Sequence, residues 1–282
     1  MKLMMFSKHL QTMSVAEAGR VIRDLGFEGV DLTVRPGGHV SPEEVRTALP
    51  EAVRTLANMG LQVPLITTAI TAADEPYAAD IFETAADAGV PEIKLGYWRY
   101  QGFGTFHEAM EEIARKLDEI EKLAQRTGVR ANIHTHSGDF MSASPFILWY
   151  WIKDRDPAAI GAYLDAGHIV VEGGVSTWKM AIDLLRDRIT LLAVKDLEWQ
   201  QVDDPSLGKK RWITKMVPLK RGVVPWPEVF TCLREIGFDG WVSVHSEYQG
   251  WHSWRDLTVE ELIEQTREDL AYLRWAMEPT RE

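Results

Sequence analysis

One short pattern recurs along most of this chain: a helix-like segment ends in glycine, a short link follows, and then comes a brief apolar run. It occurs in LGFEGVDL (25–32), MGLQVPLI (59–66), AGVPEIKL (88–95), TGVRANIH (127–134) and IGFDGWVSV (236–244). Glycine just past a helix adopts the left-handed cap conformation at little steric cost. The apolar run after it has the length of a strand buried on both faces. Spacings of roughly 30–40 residues suit one strand, one helix and two loops. The pattern predicts strands at 2–6, 29–33, 62–67, 92–96, 130–135, 161–165, 189–195 and 241–246. Eight strands alternating with helices either close into a barrel or open into a doubly wound sheet. Eight of them within 282 residues favour the barrel, a single-domain α/β chain folded as a (β/α)8 TIM barrel over 1–282.

Helix starts are legible too. Ser14-Val-Ala-Glu17, Ser41-Pro-Glu-Glu44 and Thr258-Val-Glu-Glu261 read as capping boxes, with Pro42 at the favoured first helical position. No GxGxxG follows the first strand and no GxxxxGKS or GxxxxGKT occurs, so no nucleotide cofactor is expected. The stretch from 197 to 225 has no helical period and reads as a long loop after the seventh strand.

A net charge of -11 argues against a nucleic-acid partner, which would need Lys and Arg to neutralise phosphates. The one cysteine, Cys232, has no internal disulfide partner, which fits a reducing compartment, and beside Phe230 and Leu233 it reads as a buried helix thiol. The N-terminal apolar run is too short for a signal-peptide core, and no stretch approaches the roughly 20 apolar residues of a membrane span. The expectation is a soluble, cytoplasmic protein with no membrane partner.

The histidines are His9, His39, His107, His134, His136, His168, His245 and His252. On the predicted map each lies at a strand end or in the loop after it, the face on which such barrels build their sites. Strand residues two apart point the same way, so Asn132, His134 and His136 share a direction, as do His245 with Glu247 and Ala193 with Lys195. If these face inward, one mouth holds His134, His136, Asp165, Lys195, His245 and Glu247, a set suited to acid–base or metal chemistry. Each has a plainer reading. A lone histidine at a barrel end is often packed and hydrogen-bonded. Asp165 can cap the loop at Gly167, Lys195 and Asp196 can be a surface ion pair, and Arg35 and Arg99 can be solvated. Trp98, Trp199, Trp251 and Trp254 suit either a core or stacking against a sugar's apolar face. The plainer readings would have to hold at every strand at once, and that coincidence favours a site.

GFEGVDLTVRPGGHV, HTHSG on the fifth strand, DAGH followed by EGG on the sixth, VKD on the seventh and GWVSVHSEY on the eighth resemble the xylose isomerase-like barrel superfamily over essentially the whole chain. The resemblance implies the barrel and an enzyme of the sugar isomerase or epimerase type, moving a proton next to a carbonyl through an enediolate. The superfamily also holds dehydratases, sugar lyases and an abasic-site endonuclease branch. Its metal-dependent members take Glu, Asp, His and Glu from strands five to eight; the matching positions here are His134, Asp165, Ala193 and His245, so only Asp165 is kept.

Two readings follow. In the preferred one, His134, Asp165 and His245 hold a divalent metal (Mn, Co, Fe, Zn or Mg). In the other, no metal binds and Lys195 supplies the positive charge in its place. Glu247 and His245, with His134 opposite, are the acid–base candidates. His136, His168, Lys8, His9, Arg35, His39 and Trp98 would position hydroxyls, and Arg35 or Arg99 could hold a phosphate or carboxylate. The partner is expected to be a small carbohydrate. A lyase or dehydratase expelling a β-leaving group from the same enolate is the alternative, and a catalytically silent sugar-binding barrel the further one. A homo-oligomer is left open, with the Trp-rich stretch 149–151 and Trp275 as interface or core.

Overall fold

Residues 1–279 are described by a computed structural model, in which the eight expected strands close edge to edge. The first half runs β1 (Lys2–Phe6), α1 (Val15–Leu25), β2 (Gly29–Thr33), α2 (Val45–Ala57), β3 (Gln62–Thr67), α3 (Ala78–Asp87), β4 (Glu92–Lys94) and α4 (Phe106–Thr127). The second half runs β5 (Arg130–His134), α5 (Pro145–Ile152), β6 (Ile160–Asp165), α6 (Ala166–Gly173), α7 (Thr177–Leu185), β7 (Ile189–Val194), β8 (Asp196–Asp204), β9 (Lys209–Val217), α8 (Trp226–Glu235), β10 (Trp241–Val244) and α9 (Val259–Met277). The parallel barrel has the order β1-β10-β7-β6-β5-β4-β3-β2, so the eighth barrel strand is β10.

The local signals act as expected at most positions. Ser14 and Thr258 each form a reciprocal capping box, and Gly26 ends α1 at φ 89°, where a side chain would be strained. Ser41 does not cap: its side chain makes no such bond, and Pro42–Glu44 form a 3-10 turn ahead of α2. Strand β6 is buried along its whole length, because one face meets the barrel interior and the other the helices. A large apolar shell lies between strands and helices, and Met4, Leu65, Tyr163, Leu191 and Ala193 form a separate plug inside the barrel. Each large side chain buried there contributes about 1.5–3 kcal/mol.

The stretch read as a loop at 197–225 is instead largely an antiparallel hairpin, β8 and β9, paired from Asp196↔Val217 to Asp204↔Lys209. Its outer positions are polar and its tip is charged, which hides the period-two signal. Asp196 pins its base: Oδ1 accepts from the backbone N–H groups of Leu197 (2.9 Å), Val223 (2.8 Å) and Val224 (3.1 Å), and Oδ2 from Trp226 Nε1 (2.9 Å). Lys195 and Asp196 are both buried, so they are no surface ion pair. A side chain at Gly222 would strike the Asp196 carboxylate.

Two further expectations change. His107 sits exposed in the first turn of α4, not in a loop facing the mouth. Cys232 is only partly buried on α8. Among the Trp-rich segments, Trp151 is core, whereas Trp149 and Trp275 are exposed. Among the described residues no helix is long and apolar enough to cross a membrane.

Candidate active site

At the C-terminal ends of the barrel strands lies an inner chamber of about 100 Å3, with Lys195, Glu247, His134, His136, His245 and Lys94 in its wall. It adjoins, at the shared residues Lys8, His136 and Glu247, an outer cavity of about 700 Å3 lined in part by the hairpin. The strand ends do the assembling. Asp165 is the last residue of β6 and caps α6, Oδ1 accepting from the backbone N–H of His168 at 3.0 Å. Its Oδ2 lies 3.2 Å from His134 Nε2 and 3.2 Å from Lys195 Nζ. Lys195 Nζ is also 3.8 Å from Glu247 Oε2, and Lys8 Nζ is 3.3 Å from Glu247 Oε1. One ammonium is thus fixed between two carboxylates taken from the strands on either side of it.

The imidazoles complete the wall. His134 Nδ1 lies 2.7 Å from the Tyr97 hydroxyl, and His245 Nε2 lies 2.9 Å from that of Tyr163. His136 and His168 stack with ring centroids 3.9 Å apart, and His168 Nδ1 is 2.7 Å from Ser137 Oγ. Buried His245 Nδ1 and His168 Nε2 have no hydrogen-bond partner.

Burial, reinforced by Lys195, disfavours a second positive charge. It holds His134, His168 and His245 well below the usual imidazole range and His136 at about 4, so all four are neutral at pH 7. Burial, the largest single influence, opposes the charged forms of Asp165 and Glu247. Lys195 outweighs it together with His168, His245 and the His168 N–H at Asp165, and together with Lys8, His9 and His245 at Glu247. Asp165 is lowered, and Glu247 is held well below the usual carboxylate range. Burial keeps both the Tyr97 and Tyr163 phenols protonated. The result is an ionised carboxylate, a fixed ammonium and neutral imidazoles around one small space, which can remove and return a proton while stabilising oxyanion charge.

Four groups at the site escaped the sequence reading: Tyr97, which bonds His134, and Asp31, Lys94 and Tyr163. Asp31, mid-strand on β2, accepts from Thr67 Oγ1 (2.6 Å), Ser243 Oγ (3.0 Å) and the Tyr163 hydroxyl (3.3 Å). Burial outweighs these donors and raises its carboxyl to about 6. Lys94, at the end of β4, lies with Nζ 3.4 Å from the centre of the Tyr97 ring and is held well below the usual lysine range by burial and then Arg35. Tyr163 bridges Asp31 and His245. The strand-end rule applied to β4 and the period-two rule applied to Asp165 on β6 would have pointed to Lys94 and Tyr163.

Some expected residues line neither cavity. Trp98 is core: its Nε1 donates to the Thr71 carbonyl at 3.0 Å and its ring packs edge-on against Trp151. Arg99 lies exposed over the Phe140 ring, 4.8 Å from its centre. His39 Nδ1 sits 3.2 Å from Thr33 Oγ1, folded back on its own loop, and His9 is buried beside the mouth. Arg35 does line the inner chamber, over Phe6.

Among the described residues, no group of three or more His, Cys, Asp or Glu side chains is arranged to hold a metal ion. His134 and Asp165 face one another, but His245 Nε2 is turned to Tyr163, and a cation on Asp165 would meet the Lys195 ammonium. The expected His134–Asp165–His245 set does not fit a divalent metal in this arrangement.

Residues 20–275 match the family described as xylose isomerase-like TIM barrel. The chain belongs to that family. Over 148 residues this xylose isomerase-like barrel is 28% identical to the inosose dehydratase of Bacillus anthracis (strain CDC 684 / NRRL 3495), a match covering 50% of this chain and 48% of that protein. The chain therefore spans about half the length of the curated relatives it matches. Among solved structures, it resembles the D-psicose 3-epimerase of Clostridium cellulolyticum H10 with D-tagatose (TM-score 0.75, 16% identity, 99% of this chain and 100% of that one). It also resembles the 3-keto-D-glucoside 4-epimerase of E. coli (TM-score 0.72, 16% identity, 98% and 99%). A xylose isomerase-like barrel protein of Mycobacterium smegmatis, solved in complex with magnesium, aligns at TM-score 0.61 and 18% identity over 93% of this chain and 89% of that one. At these identities the likeness establishes the fold.

Proposed function

We propose that this barrel is a sugar isomerase or epimerase that moves a proton next to a carbonyl through an enediolate. The observation that carries the reading is Lys195, fixed 3.2 Å from Asp165 and 3.8 Å from Glu247 in the wall of a chamber lined by neutral imidazoles. Glu247 removes the proton, and the electron pair moves onto the carbonyl oxygen. Lys195 stabilises the oxyanion there, in place of a metal. Protonated Glu247 then gives the proton back to the neighbouring carbon, or passes it through neutral His134 or His245, which accept at one ring nitrogen and donate at the other, to the opposite face. Asp165 holds Lys195 in place, while His136, His168 and Arg35 position hydroxyls. The substrate class is a small carbohydrate bearing a carbonyl.

A second reading keeps the same first half-reaction and expels water from the enolate; similarity to the Bacillus anthracis dehydratase favours it. Incubation of the purified protein with D-fructose, D-psicose, D-tagatose or an inosose in deuterated water, followed by NMR, tests both. Solvent deuterium in an isomeric sugar supports the first reading, and loss of water the second. No exchange with any of them leaves a silent binder and sinks the enzymatic reading. Activity that survives exhaustive chelation supports Lys195 as the source of positive charge. Activity lost to chelation and restored by manganese or magnesium returns the metal.

A further inference from the structure

The inner chamber, at about 100 Å3, falls below the roughly 300–1,000 Å3 of usual ligand pockets, whereas the outer cavity of about 700 Å3 lies within that range. The two adjoin at Lys8, His136 and Glu247, which line both, so a molecule held at Glu247 can extend into the outer cavity. One face of the hairpin supplies most of its contribution to that space, with Arg211 and Ile213 of the other face also bordering it. The register pairs Trp199 with Thr214 and Gln201 with Trp212, and directly opposite residues share a face of the ribbon. Trp199, Trp212, Thr214 and Met216 on that face all line the cavity, joined by Trp251 from the loop after β10.

The wall is held. The Met216 N–H donates to the His252 carbonyl (2.8 Å), the Trp254 N–H to the Met216 carbonyl (2.9 Å), and Lys215 Nζ bonds the Trp251 carbonyl. Yet Trp212 and Trp251, both lining the cavity, remain 63% and 82% exposed, and Lys215 Nζ lies 5.8 Å from the Trp251 ring centre. Indoles so placed suit stacking against a ring.

We propose that the outer cavity is a binding subsite for the ring-bearing aglycone of a glycoside, so that a two-part molecule binds better than a free monosaccharide. The inference rests on the proposed function in placing the sugar in the inner chamber. The second ring, aromatic or another sugar, lies against Trp212 and Trp251 while the first sits beside Glu247 and Lys195.

Isothermal titration with methyl β-D-glucopyranoside, p-nitrophenyl β-D-glucopyranoside and cellobiose tests this without relying on turnover. The aryl glucoside or cellobiose is expected to bind at least about tenfold tighter than the methyl glucoside, the scale of one well-placed stacking contact. Which of the two binds tighter separates an aromatic from a sugar aglycone. In a Trp212→Ala/Trp251→Ala variant, whose exposed positions should leave the melting temperature unchanged, that preference falls below about twofold. Equal affinity for all three probes, no measurable binding, or a preference that survives in the variant overturns the subsite. Deuterium exchange with free ketoses but no ring preference sinks the subsite alone. A ring preference without exchange sinks the catalytic reading alone.

Discussion

Replacing Lys195 with Met removes the charge on which the whole mouth depends while roughly keeping the side chain's length. Lys195 is 2% exposed, its partner Asp165 is fully buried and the Glu247 side chain is 12% exposed, so the loss leaves buried carboxylates without their main cation. Deleting one partner of such a pair costs about 3–5 kcal/mol. At about 2 °C per kcal/mol for a chain of this size, the melting temperature at pH 7 should fall by about 6–10 °C. The loss has a direction in pH. In the native protein the depressed pKa of Glu247 contributes stability that is present above the ordinary carboxylate range and lost only as pH falls below it. In Lys195→Met the strongest influence opposing burial is gone, so both carboxyls rise, Glu247 less because Lys8 remains beside it, and the variant regains stability as pH drops towards 4. Melts from pH 4 to 8 should therefore converge on the acidic side. A deficit of the same size at every pH, or no deficit at pH 7, would refute the electrostatic account. The turnover number should fall about 10²–10³-fold, as for loss of one oxyanion donor.

Asp31, raised to about 6 in the fold, favours the protonated state, so it makes the native protein less stable as pH rises from about 4 to 6. Asp31→Asn should remove roughly 3 kcal/mol of that dependence, read from denaturant midpoints at pH 4 and pH 7. Trp98→Ala should cost about 3–5 kcal/mol in stability while leaving KM unchanged, because the ring packs in the core and lines neither cavity; a raised KM with unchanged melting would return Trp98 to the substrate. Gly222→Ala should cost about 1–3 kcal/mol by displacing the Asp196 carboxylate, with limited proteolysis moving to the hairpin; unchanged cleavage would count against Asp196 as its anchor.

The barrel was readable because its signals are local. Glycine caps and apolar runs placed β2 and β3 to the residue; β1 and β6 are preceded by no such glycine, yet their apolar runs placed β1 to the residue and β6 within one residue. Geometry at the mouth was readable because a strand's period is two: His134, Asp165, Lys195, His245 and Glu247 do converge. What failed is instructive. The hairpin is solvated over much of its length, and Asp203↔Lys210 and Asp204↔Lys209 are polar pairs, so burial left little apolar alternation in the sequence. Trp98 and His39 sit at the right ends of strands, but their direction depends on loop backbone that spacing does not encode. Asp31 was hidden in an apolar run that otherwise looks like core.

The hairpin leaves and rejoins the barrel at one point, since Asp196 and Val217 are a register pair. Changing its length or its tip therefore leaves the separation of the two attachment residues as it was, and barrel closure need not feel the change. What meets the solvent-side half of a substrate can then be exchanged by grafting one continuous stretch, while the reacting groups, spread over distant strands, stay where they are.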